Sequence, residues 1–259
     1  MSSDLTRVPV PVETRAPGGE TSAYLVDGLL VDPGARCDAL DDAVETGTVG
    51  DVAVTHTHPD HVGGVADYAA ETGATVWAHA DHVDRFADAT GVDPDRTFED
   101  GDEVGPAEIV ATPGHAPDHV CFLVGDGALC GDLAVASGSV VVGGPDAEMA
   151  AYLDSLRRLR DRQVSRLYPG HGPLVEEPRT TLDRLLDHRL DRERLILRAV
   201  RDGATDVDAV VGAAYEKDLA GVEDLARATV VAHLSKLDGD GHVRFDADAG
   251  TVRPVDSGR

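Results

Sequence analysis

The sequence predicts a layered α/β fold whose sheet is partly antiparallel. Short apolar segments typical of strands alternate with segments of helical periodicity over residues 1–180. Some neighbouring strands are separated only by tight turns, which join antiparallel strands. Helical segments followed by a hairpin pattern occupy the rest of the chain. We therefore divide the chain into a larger domain, residues 1–180, and a small α+β domain, residues 181–259.

The elements of the larger domain follow from local patterns. From Thr21, two short strands are predicted on either side of Asp27-Gly28, a dipeptide typical of hairpin turns. A helix with apolar residues at helical spacing is predicted over 147–162. The remaining predicted helices cover 36–47 and 62–72, and the remaining strands cover 51–55, 75–78, 108–112, 120–124, 128–130 and 165–168.

The smaller domain has a different pattern. Helices are predicted over 181–201, 206–215 and 222–237, and strands over 242–245 and 251–255. Helix, turn, helix and a final hairpin are the layout of a winged helix. Such a tail can contact nucleic acid, pack against the rest of its chain or support a homodimer, and the sequence leaves these alternatives open.

Acidic residues dominate the composition. The chain has 259 residues, 48 of them acidic and 23 basic, so its formal net charge is −25. Residues 1–180 carry −21 of this charge, and residues 181–259 carry −4. A hydrophobic fraction of 42% is nevertheless typical of a folded protein. The charge opposes generic binding to nucleic acid or anionic lipid, whereas 35 Asp against 2 Lys favours solubility in the concentrated salt of a halophile's cytoplasm.

No apolar run approaches the length of a membrane span, and the N-terminus lacks the pattern of a signal peptide. We therefore expect a soluble cytoplasmic protein with no membrane partner. The three cysteines, Cys37, Cys121 and Cys130, form no C-x-x-C pair, so they are expected to be buried free thiols.

The segment His56-Thr57-His58-Pro59-Asp60-His61 places three imidazoles and a carboxylate within six residues. Neutral imidazole is the commonest protein ligand for zinc, and three imidazoles crowded together without a metal would pack poorly. The motif therefore predicts a metal site, and a cluster of surface histidines is the alternative.

Three further residues fit the same site: His115, Asp132 and His171. Each follows a predicted strand by a few residues, and strand ends of one sheet meet at one edge. Five histidines and two aspartates are too many for one tetrahedral ion. They suit two ions that share one bridging carboxylate.

This series of residues resembles the metallo-β-lactamase-fold hydrolases, and the resemblance covers essentially the whole chain. It implies an αββα sandwich with the site at one edge. It also implies that His56, His58 and His115 hold one ion, that Asp60, His61 and His171 hold the other, and that Asp132 bridges them. Zinc is the expected metal, with manganese or iron as alternatives.

Asp32 resembles the supporting aspartate of this family, which orients a ligand without binding metal. The alternative is a plain turn residue before Pro33-Gly34. His119 is expected to make an ordinary polar contact. No metal role is expected for the remaining histidines, which are His79, His82, His188, His233 and His242.

The resemblance implies hydrolysis by a hydroxide held between two metal ions, with Asp60 both binding metal and transferring a proton. The chain resembles the lactamase-like endoribonucleases with a winged-helix tail over residues 146–160, 167–173 and 188–197. This resemblance implies a single-stranded RNA substrate. A glyoxalase II-type hydrolase of hydroxyacylglutathione thioesters is the alternative, although the basic cluster expected for glutathione is not evident and Lys217 and Lys236 are the only lysines.

Two other functions are less favoured. β-Lactamases often use a zinc-binding cysteine, whereas Cys130 lies two positions before Asp132 and is expected to belong to the core. A nucleic-acid-binding regulator with a metal-sensing domain is the second alternative. It is disfavoured because all seven ligand positions are intact.

Overall fold

Two β-sheets packed face to face form the centre of the molecule, as seen in a computed structural model that describes residues 5–215 and 219–255. Lys217 lies outside the described residues. In the first sheet the strands follow chain order: β1 (Leu5–Pro11), β2 (Glu20–Val26), β3 (Leu29–Val31), β4 (Asp51–Ala53), β5 (Thr75–His79) and β6 (Arg96–Phe98). Strands β1–β3 pair antiparallel, and β3–β6 pair parallel.

The second sheet contains β7 (Glu103–Val104), β8 (Ala107–Ala111), β9 (Val120–Val124), β10 (Gly127–Gly131) and β11 (Arg166–Pro169). Its spatial order is β11-β10-β9-β8-β7. Only β10 and β11 pair parallel, because a helix separates them in the chain and allows the crossover that a parallel pair needs. The two sheets bury a shared apolar layer that includes Leu29, Ile109 and Phe122.

Helices cover the outer faces of both sheets and complete an αββα sandwich. The first sheet is covered by α1 (Asp38–Thr46), α2 (Pro59–Val62), α3 (Val65–Thr72) and α4 (Val83–Thr90). The second is covered by α5 (Met149–Asp161) and α6 (Pro178–Arg201). Apolar residues of α5 recur at helical spacing and are buried, as with Tyr152, Leu156 and Leu159, while its arginines face outward.

The C-terminal elements are α7 (Val207–Ala214), α8 (Glu223–Gly239) and a hairpin of β12 (Val243–Asp246) and β13 (Thr251–Pro254). They surround an apolar cluster with the second half of α6, which contributes Ile196 and Val200. The first half of α6 packs Leu182 and Leu185 against α5. A single helix thus contributes to both apolar clusters.

At 24 residues, α6 is longer than any other helix in the described ranges, but charged side chains occur along its whole length. Within residues 5–215 and 219–255, no helix combines the length and the hydrophobicity needed to cross a bilayer.

Several predicted elements agree with the structure. The hairpin turn falls at Asp27-Gly28, where φ is +44° and +92°, the left-handed conformation that a primed two-residue turn requires. The predicted helix over 62–72 is wrong in one respect, because the chain breaks it at Gly63-Gly64. A Cβ on Gly63 would lie 2.5 Å from the Gly34 carbonyl oxygen, so the close contact between these segments needs glycine.

The prediction missed β1, α4, β6 and β7. Strand β1 contains Pro9 and Pro11, which argue against a central strand but are tolerated here because β1 lies at the edge of its sheet. Helix α4 has only eight residues and buries only Phe86, so its apolar pattern is too short to identify a helix from the sequence.

Candidate metal centre

The seven predicted ligands converge at one edge of the sandwich, where the ends of both sheets meet. Four of them lie in the short segment that follows β4 and continues into α2. The other three follow β8, β10 and β11 of the second sheet. The site therefore spans the two sheets. These residues are His56, His58, Asp60, His61, His115, Asp132 and His171.

Three histidines form the first group of potential ligands. The Nδ1 atom of His58 lies 3.0 Å from Nε2 of His56 and 2.9 Å from Nε2 of His115. Because ring nitrogens from three imidazoles face one small volume, a cation could bind all three.

The second group consists of Asp60, His61 and His171, whose ligand atoms lie within 4.8 Å of one another. Oδ2 of Asp60 lies 3.5 Å from Nε2 of His171. Asp60 is brought to this position by α2, which begins at Pro59, a residue preorganised for the first helical position.

Asp132 lies between the two groups and faces both. Its Oδ2 atom lies 3.5 Å from Nε2 of His115, in the first group. Its Oδ1 atom lies 3.5 Å from Nε2 of His171 and 3.7 Å from Nε2 of His61, in the second group. One carboxylate therefore presents one oxygen to each group, which is the arrangement that a bridging ligand needs.

Backbone carbonyls orient two of the histidines from outside the site. Nδ1 of His115 is 2.8 Å from the Val141 carbonyl oxygen, and Nδ1 of His171 is 2.8 Å from the Glu20 carbonyl oxygen. A carbonyl oxygen can only accept, so each Nδ1 carries the hydrogen. In the neutral rings, Nε2 is then left with a lone pair that faces the site.

Asp32 plays the same part for two more histidines, His61 directly and His56 through Thr55. Its buried carboxylate accepts hydrogen bonds from Thr55 N at 2.6 Å, from Thr55 Oγ1 at 2.8 Å and from His61 Nδ1 at 3.0 Å. Because the Thr55 hydroxyl hydrogen points to Asp32, Oγ1 can accept from His56 Nδ1, which lies 3.1 Å away. Both histidines therefore present Nε2 to the site.

Two buried atoms indicate that the site suits metal ions. His61 Nε2 and Asp132 Oδ1 are buried, and within the described part of the chain neither has a hydrogen-bond partner. Unpaired buried polar atoms are costly, at about 1–3 kcal/mol each. A divalent cation bound by both atoms would remove that cost, so the donor set fits a metal.

Burial and neighbouring charges shift the pKa values of these groups. Burial, together with the surrounding histidines, holds the pKa of His56 well below its ordinary value and lowers that of His58 to about 4. Burial opposes a charge on His171, but the nearby carboxylates of Asp132 and Asp60 outweigh it and raise its pKa to about 11. Without a cation, a proton on His171 neutralises part of the carboxylate charge, and a metal ion would compete with that proton.

Glycines allow the segments to approach closely. Gly131, immediately before Asp132, has φ of +43°, and a Cβ there would lie 2.4 Å from Thr55 Oγ1. A Cβ on Gly170, immediately before His171, would lie 2.7 Å from His61 Cε1. A side chain at position 131 would displace Thr55, and one at position 170 would displace the potential ligand His61.

His119 has a closer relation to the site than the sequence suggested. It is fully buried, its Nε2 accepts the Asp132 backbone N–H at 3.1 Å, and its Nδ1 lies 2.8 Å from Thr112 Oγ1. Burial lowers its pKa to about 3, which keeps the ring neutral. It thus makes the expected polar contact, but to the backbone of a potential ligand. The one feature of the sequence that could have indicated this contact is the position of His119, four residues after the potential ligand His115.

The remaining histidines lie elsewhere. The rings of His79 and His82 contact each other at a tilt of 53°, with centroids 5.0 Å apart, and His233 is buried in α8. All three cysteines are free thiols, and Cys121 and Cys130 are buried. The nearest polar contact of Cys130 Sγ is the Ala134 carbonyl oxygen at 3.7 Å, so the thiol belongs to the core.

Several named relatives resemble the chain. It is 30% identical to the Beta-lactamase-like protein 2 homolog of Drosophila melanogaster, over 79% of this chain and 74% of that protein. It is 30% identical to an atrochrysone carboxyl ACP thioesterase of Aspergillus chevalieri, over 92% and 83%. It is 34% identical to the thioesterase pkgB of Emericella nidulans, over 58% of this chain but only 42% of the relative.

Solved structures show the same architecture. A metallo-beta-lactamase family protein from Thermus thermophilus superposes with a TM-score of 0.76 at 22% identity, over 97% of this chain and 98% of that one. The protein TTHA1623, solved in a di-iron-bound form, superposes with a TM-score of 0.54 at 28% identity, over 70% and 97%. The sequence profile of the metallo-beta-lactamase superfamily matches residues 16–171, which contain all seven clustered ligands. The chain therefore belongs to the metallo-beta-lactamase superfamily.

Proposed function

We propose that the chain is a dinuclear metal-dependent hydrolase that cleaves acyl thioesters, with zinc as the first choice of metal and iron or manganese as alternatives. The observation that carries the two-metal part is Asp132, whose two carboxylate oxygens face different groups of potential ligands. His56, His58 and His115 would hold one ion and Asp60, His61 and His171 the other, with Asp132 shared.

Bound divalent ions would lower the pKa of a water molecule and stabilise the negative charge that develops on the carbonyl oxygen of the substrate. The protein's own residues keep the ligands ready for this chemistry. The outer hydrogen bonds of His61, His115 and His171 fix which ring nitrogen faces the site. Less reorganisation is then needed when metal or substrate binds.

Asp60 is the candidate for proton transfer. Its carboxylate lines the cavity above the site and also contacts His171. Burial opposes its charge, but hydrogen bonds to His171 and Thr14 and the field of His61 hold its pKa well below the usual range. Asp60 is therefore ionised at neutral pH, the state that both a metal ligand and a proton acceptor require.

The cavity above the ligands supports an acyl substrate. It has a volume of about 770 Å³. Much of its lining is small or apolar, including Pro17, Val135, Ala136, Val140, Val141 and Leu225. Arg15 is the one Arg or Lys side chain in this lining, and its guanidinium is paired with Asp224. This surface suits an uncharged acyl group better than a polyanion.

Two of the named relatives support a thioester substrate. Two of the similar proteins carry the name thioesterase, and one of these aligns over 92% of this chain. The same cavity argues against glutathione as the thiol part of the substrate, because glutathione carries two carboxylates and Arg15 alone is available among the lining residues to meet them.

A single-stranded endoribonuclease is the second candidate function. It is supported by the arrangement of α6, α7, α8 and the β12–β13 hairpin, which matches the order of a winged helix. The less acidic charge of residues 181–259, −4 against −21 for the preceding residues, also suits contact with RNA better than the rest of the surface does.

One set of assays tests these functions. The protein is purified in multimolar KCl, its metal content is counted, and it is given acyl-pantetheine thioesters, a hydroxyacylglutathione and single-stranded RNA. We expect about two ions per chain and thiol release from acyl-pantetheine, both lost in Asp132→Ala. One ion per chain or fewer contradicts the two-metal proposal. Cleavage of RNA alone supports the second candidate, and RNA binding without any turnover would instead indicate a regulator.

A further inference from the structure

The loop between β10 and α5 forms one wall of the cavity. Arginine side chains of α6 donate hydrogen bonds to the backbone of this loop. Nη1 of Arg184 donates to the Gly138 carbonyl oxygen at 2.6 Å, and Nη2 donates to those of Val135 at 3.0 Å and Ala136 at 3.4 Å. Within the described residues this guanidinium forms no ion pair. Its hydrogen bonds all go to carbonyls of one loop, a geometry that suits the five-donor fork of arginine.

Arg189, further along α6, holds the same loop. Its Nη2 donates to the Val140 carbonyl oxygen, and its guanidinium lies 5.6 Å from the ring centroid of Tyr152. The side chain is only 3% exposed. No carboxylate in the described part of the chain pairs with it. A buried cation without a counter-charge is costly, so this arginine is poorly explained by stability alone.

Helix α8 meets the loop from the other side. A Cβ added to Gly143 would lie 2.6 Å from the backbone carbonyl carbon of Ala228. The loop backbone therefore lies directly on the helix. Residues 135–143 are thus fixed between two helices of the C-terminal part of the chain.

The fixed loop in turn contacts a potential metal ligand. The residue after Val140 is Val141, whose carbonyl oxygen accepts the Nδ1 hydrogen of His115 at 2.8 Å. That hydrogen bond directs Nε2 of His115 towards His58 and Asp132. A shift of the loop would rotate this ring, or it would allow the ring hydrogen to move from Nδ1 to Nε2.

We propose that Arg184 and Arg189 are positioning residues, which fix loop 135–143 and through the Val141 carbonyl hold His115 in the orientation that binds metal. This inference rests on the proposed metal-dependent function. It assigns the C-terminal helices a direct part in building the site, in addition to any binding role of their own.

Arg184 gives the clearer test because it lies at the surface, so its loss should not unfold the protein. Metal-free Arg184→Ala is titrated with Co²⁺, whose visible spectrum reports the ligand geometry, and with Zn²⁺ against a chromogenic chelator. We expect about tenfold weaker binding of one of the two ions and an altered Co²⁺ spectrum, with partial recovery in Arg184→Lys. Arg189→Lys and Arg189→Met are compared in the same way after their thermal unfolding has been measured.

Arg194→Ala is the matched control, because Arg194 lies on the same helix and its guanidinium contacts Asp191 alone among the described residues. Its metal affinities should equal those of the parent protein. If Arg184→Ala binds both ions with parental affinity and spectrum, the positioning role is wrong. If the parent protein itself binds fewer than two ions, the proposed function fails before the arginines are tested.

Discussion

Asp32 Oδ2 lies 3.0 Å from the Nδ1 of His61, and Asp32 holds this position with φ of +54°. A left-handed backbone is uncommon for residues other than glycine, although aspartate tolerates it better than most. The conformation turns the buried carboxylate back towards the segment after β4, where it accepts three hydrogen bonds.

Replacing Asp32 by asparagine should weaken metal binding. The amide would present N–H donors to at least one of the three donors that now face Asp32, and His61 would lose its negative partner. We expect about 10–100-fold weaker binding of one ion, measured by competition with a chelator. Asp27→Asn is the control, because Asp27 also has positive φ but lies in the β2–β3 turn. Equal effects of the two substitutions would show that the loss does not depend on the hydrogen bonds of Asp32.

Asp60→Asn should reduce turnover more than it reduces folding stability. The amide cannot accept a proton and is a weaker metal ligand, so kcat should fall by about 10²–10⁴-fold. Asp67→Asn, at an exposed position of the neighbouring α3, should leave kcat unchanged. A variant at position 60 that keeps both ions and full turnover would exclude Asp60 from proton transfer.

Gly170→Ala should disrupt the site by steric contact. The added Cβ would lie 2.7 Å from His61 Cε1 and 2.8 Å from Asp132 Oδ1, closer than real contacts allow. Metal content should fall below two ions per chain. Gly50→Ala introduces the same methyl group where no atom lies within 4 Å, and it should bind metal normally. Normal metal content in Gly170→Ala would show that this segment can move without cost.

His233 should make stability depend on pH. Burial lowers its pKa from the ordinary 6.5, and the nearby Glu193 carboxylate offsets this only in part. Below about pH 6.5, the unfolded chain takes up a proton at this position that the folded chain does not, so the free energy of unfolding falls as the pH falls. Urea unfolding at about pH 7.5 and about pH 5 should show a smaller loss in His233→Phe than in the parent protein. An identical loss in both would assign the pH dependence to other groups.

Concentrated KCl should stabilise the protein. With a net charge of −25, mutual repulsion favours unfolding in dilute buffer, and salt screens that repulsion. The midpoint of thermal unfolding should rise from dilute buffer to multimolar KCl. Greater stability in dilute buffer would contradict the adaptation to high salt that the composition predicts.

The sequence predicted those parts of the site that depend on local spacing. The group His56, His58, Asp60 and His61 lies in six residues, and strand ends placed the others at one edge. Contacts between residues that are distant in the sequence could not be predicted. The sequence around Arg184 fits a solvent-exposed helix face. None of the residues next to it in the sequence indicates that its guanidinium contacts the carbonyl oxygens of a distant loop. The link from His119 to the Asp132 backbone likewise depends on how two turns meet.

The same logic explains the errors in secondary structure. Gly63 and Gly64 are poor helix formers, and the close approach of the Pro33-Gly34 segment both requires these glycines and interrupts the helix there. Strand β1 carries Val8 and Val10 on its buried face, but its prolines concealed it. In β1, pairing with β2 outweighed the local preference of proline against strands.

The ligands come from both sheets, and this has a consequence for how the protein matures. Before the sheets dock, the chain can offer an ion only the four residues that follow β4, since His115, Asp132 and His171 belong to the second sheet. If the proposed function is correct, a complete pair of ions can therefore bind only after the two halves have joined. On that proposal metal binding should be the final step of folding, and an ion bound there would link two layers that otherwise contact each other through apolar side chains.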